Sequence, residues 1–184
     1  MFKTFVLLSV IVAALCPAAF GQELYGGYQF EHFGEDVNGH GFNVAVNGPS
    51  DRWVTYAGEF GSSFDSESFT EAGTQVSGNA RFLTFRGGPR FVSTANPKLR
   101  PFVHALFGFT NSRFSFTTPS TSVSDSANGF SMALGGGADF KIASKLAIRA
   151  QLDYMHMGNV TVLDTDLGST NGYRFTTGLV YRFR

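Results

Sequence analysis

From residue 23 onward, apolar and polar positions alternate with a period of two, while Gly, Phe, Thr, Ser and Asn interrupt almost every window that a helix would need. The last segment is the clearest. Tyr173, Phe175, Thr177, Leu179, Tyr181 and Phe183 share one face, and Arg174, Thr176, Gly178, Val180 and Arg182 share the other. The segment before it sets Ile148, Ala150, Leu152 and Tyr154 against Arg149, Gln151 and Asp153. Upstream, Met132, Leu134, Gly136, Ala138 and Phe140 oppose Ser131, Ala133, Gly135, Gly137 and Asp139. One face suits hydrocarbon and the other suits water, the signature of a strand in a membrane barrel. The pattern predicts eight strands, at about 23–32, 41–48, 52–61, 76–88, 100–111, 129–142, 145–156 and 172–183. In 76–88 the facing stays open, because Arg81 and Arg86 fall on opposite faces in any register.

The connections sharpen the architecture. Tight turns are expected at 49–51 and 143–144, and long polar connections at 62–75, 112–128 and 157–171. Long loops at one end and short turns at the other suit an eight-stranded, antiparallel, up-and-down transmembrane β-barrel, all-β in class. Eight strands of about 11 residues take roughly 88 positions, whereas twelve would leave too few residues for the long connections. A soluble barrel would have to pack these aromatic faces into a small lumen, which has no room for them.

The amino terminus changes the compartment. Lys3 precedes a hydrophobic stretch over 5–15, and Ala19-Phe20-Gly21 offers small residues for a cut, so residues 1–21 read as a secretory signal peptide and 22–184 as one barrel domain. The stretch is shorter than the ~20 residues that span a bilayer as a helix. Cys16 is the only cysteine, so the barrel domain has no disulfide or thiol chemistry. With 14 Lys+Arg against 14 Asp+Glu, the chain lacks the basic footprint of a nucleic-acid binder. The 21 Phe and 22 Gly exclude disorder and suit a lipid-facing sheet.

The residues also carry a resemblance. Gly135-Gly136-Gly137-Ala138-Asp139-Phe140-Lys141, then Leu146-Ala147-Ile148-Arg149 and Asp153-Tyr154, then the terminal run from Gly172 to Phe183, resemble the outer-membrane protein β-barrel domain family, related to the barrel of outer-membrane protein A. Gly87-Gly88-Pro89-Arg90 and Arg100-Pro101-Phe102-Val103-His104-Ala105 are similar to that family too. The resemblance covers the chain after the leader and implies insertion by the barrel assembly machinery, which reads a terminal aromatic residue. Here Phe183 is followed by Arg184.

Candidate chemistry is sparse. There is no phosphate loop, HExxH, paired cysteine or GxSxG, and the triple glycine at 135–137 lies inside an alternating strand, so no catalytic, cofactor-binding or metal site is assigned. His32, His40, His104 and His156 have no ligand spacing. The long connections carry Glu35, Asp36, Asp65, Glu67, Glu71, Asp125, Asp164 and Asp166 against Arg113, which reads as a hydrated acidic rim. On the polar strand face, Glu59, Asp139, Arg149, Asp153 and Arg174 are expected to form a charge network, because a narrow lumen cannot leave them unpaired. The sequence thus predicts a non-enzymatic, monomeric barrel of the bacterial outer membrane, with lipid as its surroundings, no cofactor, and a role in envelope structure or surface contact. The alternative is a narrow porin-like channel for ions or small solutes. A lipid-modifying enzyme would rest on His156 and Ser169, with no acid to orient them.

Overall fold

The computed structural model describes residues 23–34, 37–49, 52–71, 74–117, 122–158, 161–162, 165–166 and 169–183. The expected leader 1–21, the rim acids Glu35, Asp36 and Asp164, and Arg184 lie outside the described residues. The strands are β1 (Glu23–Phe33), β2 (Val37–Asn47), β3 (Val54–Glu71), β4 (Thr74–Val92), β5 (Leu99–Thr117), β6 (Ser122–Lys141), β7 (Leu146–Met157), β8 (Thr161–Val162), β9 (Thr165–Asp166) and β10 (Thr170–Arg182). All pairings are antiparallel, and β1-β10-β7-β6-β5-β4-β3-β2 closes into an eight-stranded barrel, with β8 and β9 forming a separate small hairpin. Closure leaves no strand edge within the wall, which is what a sheet surrounded by lipid requires.

Register explains the shape. From Glu23 the pairing passes to Asn47, Ala57 and Gly88 and, farther round, through Leu106, Ala133, Met155 and Gly172 to Phe33, ten residues along the starting strand. Such a stagger is what tilts the strands of a small barrel. Both termini of the barrel and the β2–β3, β4–β5 and β6–β7 connections lie at one end, called here the terminal end. There Ile142 N donates to Leu146 O at 3.0 Å, and Asn96 Oδ1 accepts from Lys98 N at 2.8 Å. The β3–β4 and β5–β6 connections lie at the opposite, hairpin end.

Alternation sorts the side chains as the pattern demands. Outward lie Tyr28, Phe42, Tyr56, Phe85, Phe107, Leu134, Ile148, Leu152, Phe175 and Leu179, all exposed. Inward positions are buried and include Gln29, Glu59, Asp139, Arg149, Asp153 and Arg174. Tyr154 and Tyr173 meet edge-on at 5.8 Å toward the hairpin end, and Trp53 lies 6.3 Å from Phe91 at the terminal end. These rings are the aromatic girdles expected at the two interfaces. Within 76–88 the structure turns Arg86 inward and Arg81 outward.

Two expected loops need correction. Most of 62–75 continues β3 and β4, and most of 112–128 continues β5 and β6, so both are strand hairpins that project beyond the wall. The sequence pattern missed them for a physical reason. Beyond the membrane neither face of a hairpin must be apolar, so the Ser- and Thr-rich strands lose the alternation that marks those in lipid.

Because the strands of the wall pair all the way round the closed barrel, the detergent-folded protein should run at different gel mobilities before and after boiling, with a strand-dominated circular dichroism spectrum. A helical spectrum would contradict the fold.

Candidate functional site in the barrel lumen

An eight-stranded barrel is only wide enough for side chains to fill it, so whatever points inward meets its counterpart across the axis. Among the described residues the lumen buries Arg86, Arg90, Arg149, Arg174 and Arg182 with Glu23, Glu31, Glu59, Asp139 and Asp153. The two signs balance.

These groups form two tiers. Toward the terminal end, Arg149 grips Asp139 with two bonds, Nε to Oδ1 at 2.6 Å and Nη2 to Oδ2 at 2.9 Å. Arg90 bridges Glu23 and Asp139 at 3.1 Å each, and Arg182 Nε donates to Glu23 at 2.7 Å. Three guanidiniums thus surround two carboxylates. The surplus positive charge lies against aromatic faces, with Arg90 4.0 Å and Arg149 4.7 Å from the Phe102 ring centroid and Arg149 5.0 Å from that of Tyr25. Desolvated cation–π contacts of this kind are worth about 2 kcal/mol.

The second tier centres on Arg174. Its Nη1 and Nη2 donate to Glu59 at 2.7 and 2.9 Å, while Nη2 and Nε donate to Asp153 Oδ2 at 2.6 and 3.0 Å. Arg86 adds a second cation on Glu59 at 3.0 Å and donates from Nε to Ser131 Oγ at 2.8 Å. His104 Nε2 and Gln151 Nε2 each lie 2.8 Å from an Asp153 oxygen. Glu31 accepts from Ser63 Oγ. Phe33, Leu106, Ala133, Met155 and Met157 form a buried cluster that starts beside this tier, and toward the hairpin end Phe33, Met157 and Phe82, 6.0 Å from Phe33, share the lumen with the buried hydroxyls of Ser63, Thr84, Thr110, Ser112 and Ser131.

All five residues singled out in the sequence point into the lumen and are buried, but they are divided between the tiers. Asp139 and Arg149 belong to the first, and Glu59, Asp153 and Arg174 to the second. Arg149 takes its acids from β6 and β1, and Asp153 takes its arginine from β10. Sequence reasoning missed Glu23, Glu31, Arg86, Arg90 and His104. The signal for Arg86 and Arg90 was present: Leu83, Phe85 and Phe91 share one phase of β4, and the two arginines share the other. The remaining histidines stay outside the lumen. His156 Nδ1 donates to Asn171 Oδ1 at 2.7 Å rather than pairing with Ser169. Among the described residues no three His, Cys, Asp or Glu side chains group as metal ligands.

Arg174 compensates two buried carboxylates at once. Arg174→Ala should lower stability by about 3–5 kcal/mol, the cost of leaving buried charge unpaired, read from urea unfolding in detergent. Arg149→Ala should cost less than Arg174→Ala, since Arg90 and Arg182 still face Asp139. Equal, near-zero losses would mean that water solvates these charges singly.

Comparison with known proteins agrees with the architecture. The crystal structure of Ail, the attachment invasion locus protein of Yersinia pestis, is similar with a TM-score of 0.61 and 20% identity, covering 89% of this chain and 99% of that one. A major outer membrane protein of Thermus thermophilus gives 0.60 at 11% identity, over 88% and 99% of the two chains. The outer membrane protein OprG of Pseudomonas aeruginosa gives 0.51 at 8% identity, over 90% and 97%. At these identities the likeness speaks for the fold. No curated protein matches the chain in sequence. Residues 4–183 match the family described as the outer membrane protein beta-barrel domain. With its closed eight-stranded wall and lipid-facing aromatic band, the chain belongs to the outer membrane protein beta-barrel domain family and is an integral protein of the bacterial outer membrane.

Proposed function

We propose that this chain is a non-enzymatic, monomeric barrel that makes contacts at the cell surface through the sheet projecting from its hairpin end. The observation that carries this reading is the free edge of that sheet. Among the described residues, pairing between β2 and β3 ends at His40 and Phe64, yet β3 runs on to Glu71 with β4 alone beside it. On the other flank β7 pairs with β6 from Ser131, Gly158 N adds one bond to Phe130 O at 2.8 Å, and β8 lies near β6, so the edge at β3 carries the reading. An open edge presents unpaired N–H and C=O groups, onto which an extended segment of a partner adds as a further strand. Within the wall every edge is closed, so the barrel needs no second copy to satisfy its backbone. The lipid-facing Tyr181 and the adjoining Phe183, 5.1 Å apart, suit recognition by the barrel assembly machinery.

The channel reading is weaker. A conducting lumen needs a continuous wet path, whereas here two tiers of paired charge are followed by the cluster of Phe33, Met155 and Met157. In planar bilayers the refolded protein should show no steady open state. Stable channels would replace the surface-contact reading with the pore.

Orientation is tested separately. Bacterial barrels place their long connections outside. Ser169→Cys, at the hairpin end, should react with an impermeant thiol reagent on intact cells, while Ser144→Cys, in the exposed β6–β7 turn, should not. Replacing 66–77 by a two-residue turn should then preserve heat-modifiable mobility and abolish adherence of expressing cells. Adherence at the wild-type level would remove the projecting sheet from the function.

A further inference from the structure

We infer that the outer wall of β3–β5 holds one lipid bearing a phosphate monoester, its headgroup between Arg81 and Arg113 and an acyl chain in a furrow floored by Gly58 and Gly87. Arg81 and Arg113 are direct cross-strand partners and both are exposed on the outward face. Like charges opposite one another on a sheet are destabilising, since directly paired positions hold their Cβ atoms only about 4.5–5.5 Å apart. Among the described residues neither arginine has an ion pair. Two unpaired guanidiniums at that spacing suit one anion with about two negative charges. A phosphate monoester carries roughly −1.5 to −2 near neutral pH, whereas a diester headgroup offers one charge to two arginines.

Their height fits a headgroup. Arg81 stacks 5.1 Å from the Phe64 ring centroid. One step below Arg113, Asn111 Nδ2 donates to Asn128 Oδ1 at 2.8 Å, and below that Phe109 is 70% exposed. Outward polar pairs giving way to a bare aromatic ring mark the boundary between water and hydrocarbon.

Below that boundary the wall is hollowed. Gly58 and Gly87 pair directly and both face outward. Most glycines of this barrel are held by close backbone contacts: a Cβ on Gly88 would come 2.1 Å from Ala105 O, and one on Gly108 1.8 Å from Phe85 O. Gly58 differs, because a Cβ there would meet nothing within 4 Å, and one on Gly87 would meet only Ala57 O at 3.5 Å. Steric crowding therefore does not require glycine at either place. What the missing side chains leave is an apolar furrow of about 470 Å³ bordered by Val46, Phe60, Phe85, Phe107 and Phe109. Gly87 lies six residues along β4 from Arg81 on the same face, about 20 Å at 3.3–3.4 Å per residue. On a strand tilted by about 45° that is roughly 14 Å of depth, close to one leaflet of a ~30 Å hydrocarbon core. Head site and furrow are thus spaced as the two ends of one lipid.

The test uses the full-length mature barrel, folded in neutral detergent and examined by native mass spectrometry with purified lipid A, which carries phosphate monoesters on an acylated disaccharide. One lipid A should remain bound to the wild type, and the Arg81→Ala, Arg113→Ala double variant should bind at least tenfold more weakly. Gly58→Leu should also weaken retention severalfold, while its mobility before and after boiling shows that the barrel still folds. Phosphatidylglycerol, a diester, should bind the wild type at least tenfold more weakly than lipid A. Undiminished lipid A binding by the double arginine variant overturns the head site, and unchanged binding by Gly58→Leu overturns the furrow. Equal binding of the two lipids overturns the choice of a monoester.

Discussion

Closing eight strands into a cylinder leaves an interior that only side chains fill, and every inward residue must then find its complement across the axis. In this barrel the complement is charge. Five arginines and five carboxylates are buried along the lumen, and each arginine reaches at least one acid. A lone ion in that setting would carry a desolvation penalty of several kcal/mol, so the pairing is the condition on which the closed wall rests. The aromatic band outside and the ion pairs inside are two answers to one constraint, since alternation assigns each residue to lipid or to lumen and leaves little between.

The outer surface follows the same rule in another form. At the hairpin end the outward positions turn polar in cross-strand pairs: His32 with Asn38 at 2.9 Å, Asn111 with Asn128, and His156 with Asn171. Each Asn amide group directs its hydrogen bond to the partner strand at the level where hydrocarbon gives way to water. Above that level, among the described residues, the β2–β3 and β6–β7 pairings stop and two hairpins continue.

How much of this was legible in the sequence depends on whether lipid was there to impose a pattern. The faces of β6, β7 and β10 can be read residue by residue, because Leu134, Leu152 and Leu179 must face hydrocarbon while Asp139, Asp153 and Arg174 must avoid it. The projecting parts of β3 to β6 were not legible, since water on both faces removes the need for alternation. The two-tier division of the lumen was hidden for a different reason. Which arginine meets which acid depends on stagger and on residues opposite one another across the axis, as with Arg174 and Glu59, which are 115 positions apart. The apolar cluster inside the lumen was likewise masked, because Phe33, Met155 and Met157 share a phase with charged residues and read as exceptions within a polar face.

The long sequence separation of these ion pairs bears on how the protein enters the membrane. Arg174 and Arg182 lie on the last strand, and their acids Glu59 and Glu23 lie on the third and first. A nascent chain that delivered its hairpins into the bilayer one after another would hold Glu59 with Arg86 alone, Glu23 without Arg182, and Asp153 without its arginine until β10 arrived. The high energy of such intermediates favours a concerted route, in which the strands assemble into a nearly complete ring at the interface and cross as the seam between β1 and β10 shuts. Its electrostatics thus make this barrel cooperative in its biogenesis: the charges of the lumen are fully compensated only when the final strand arrives.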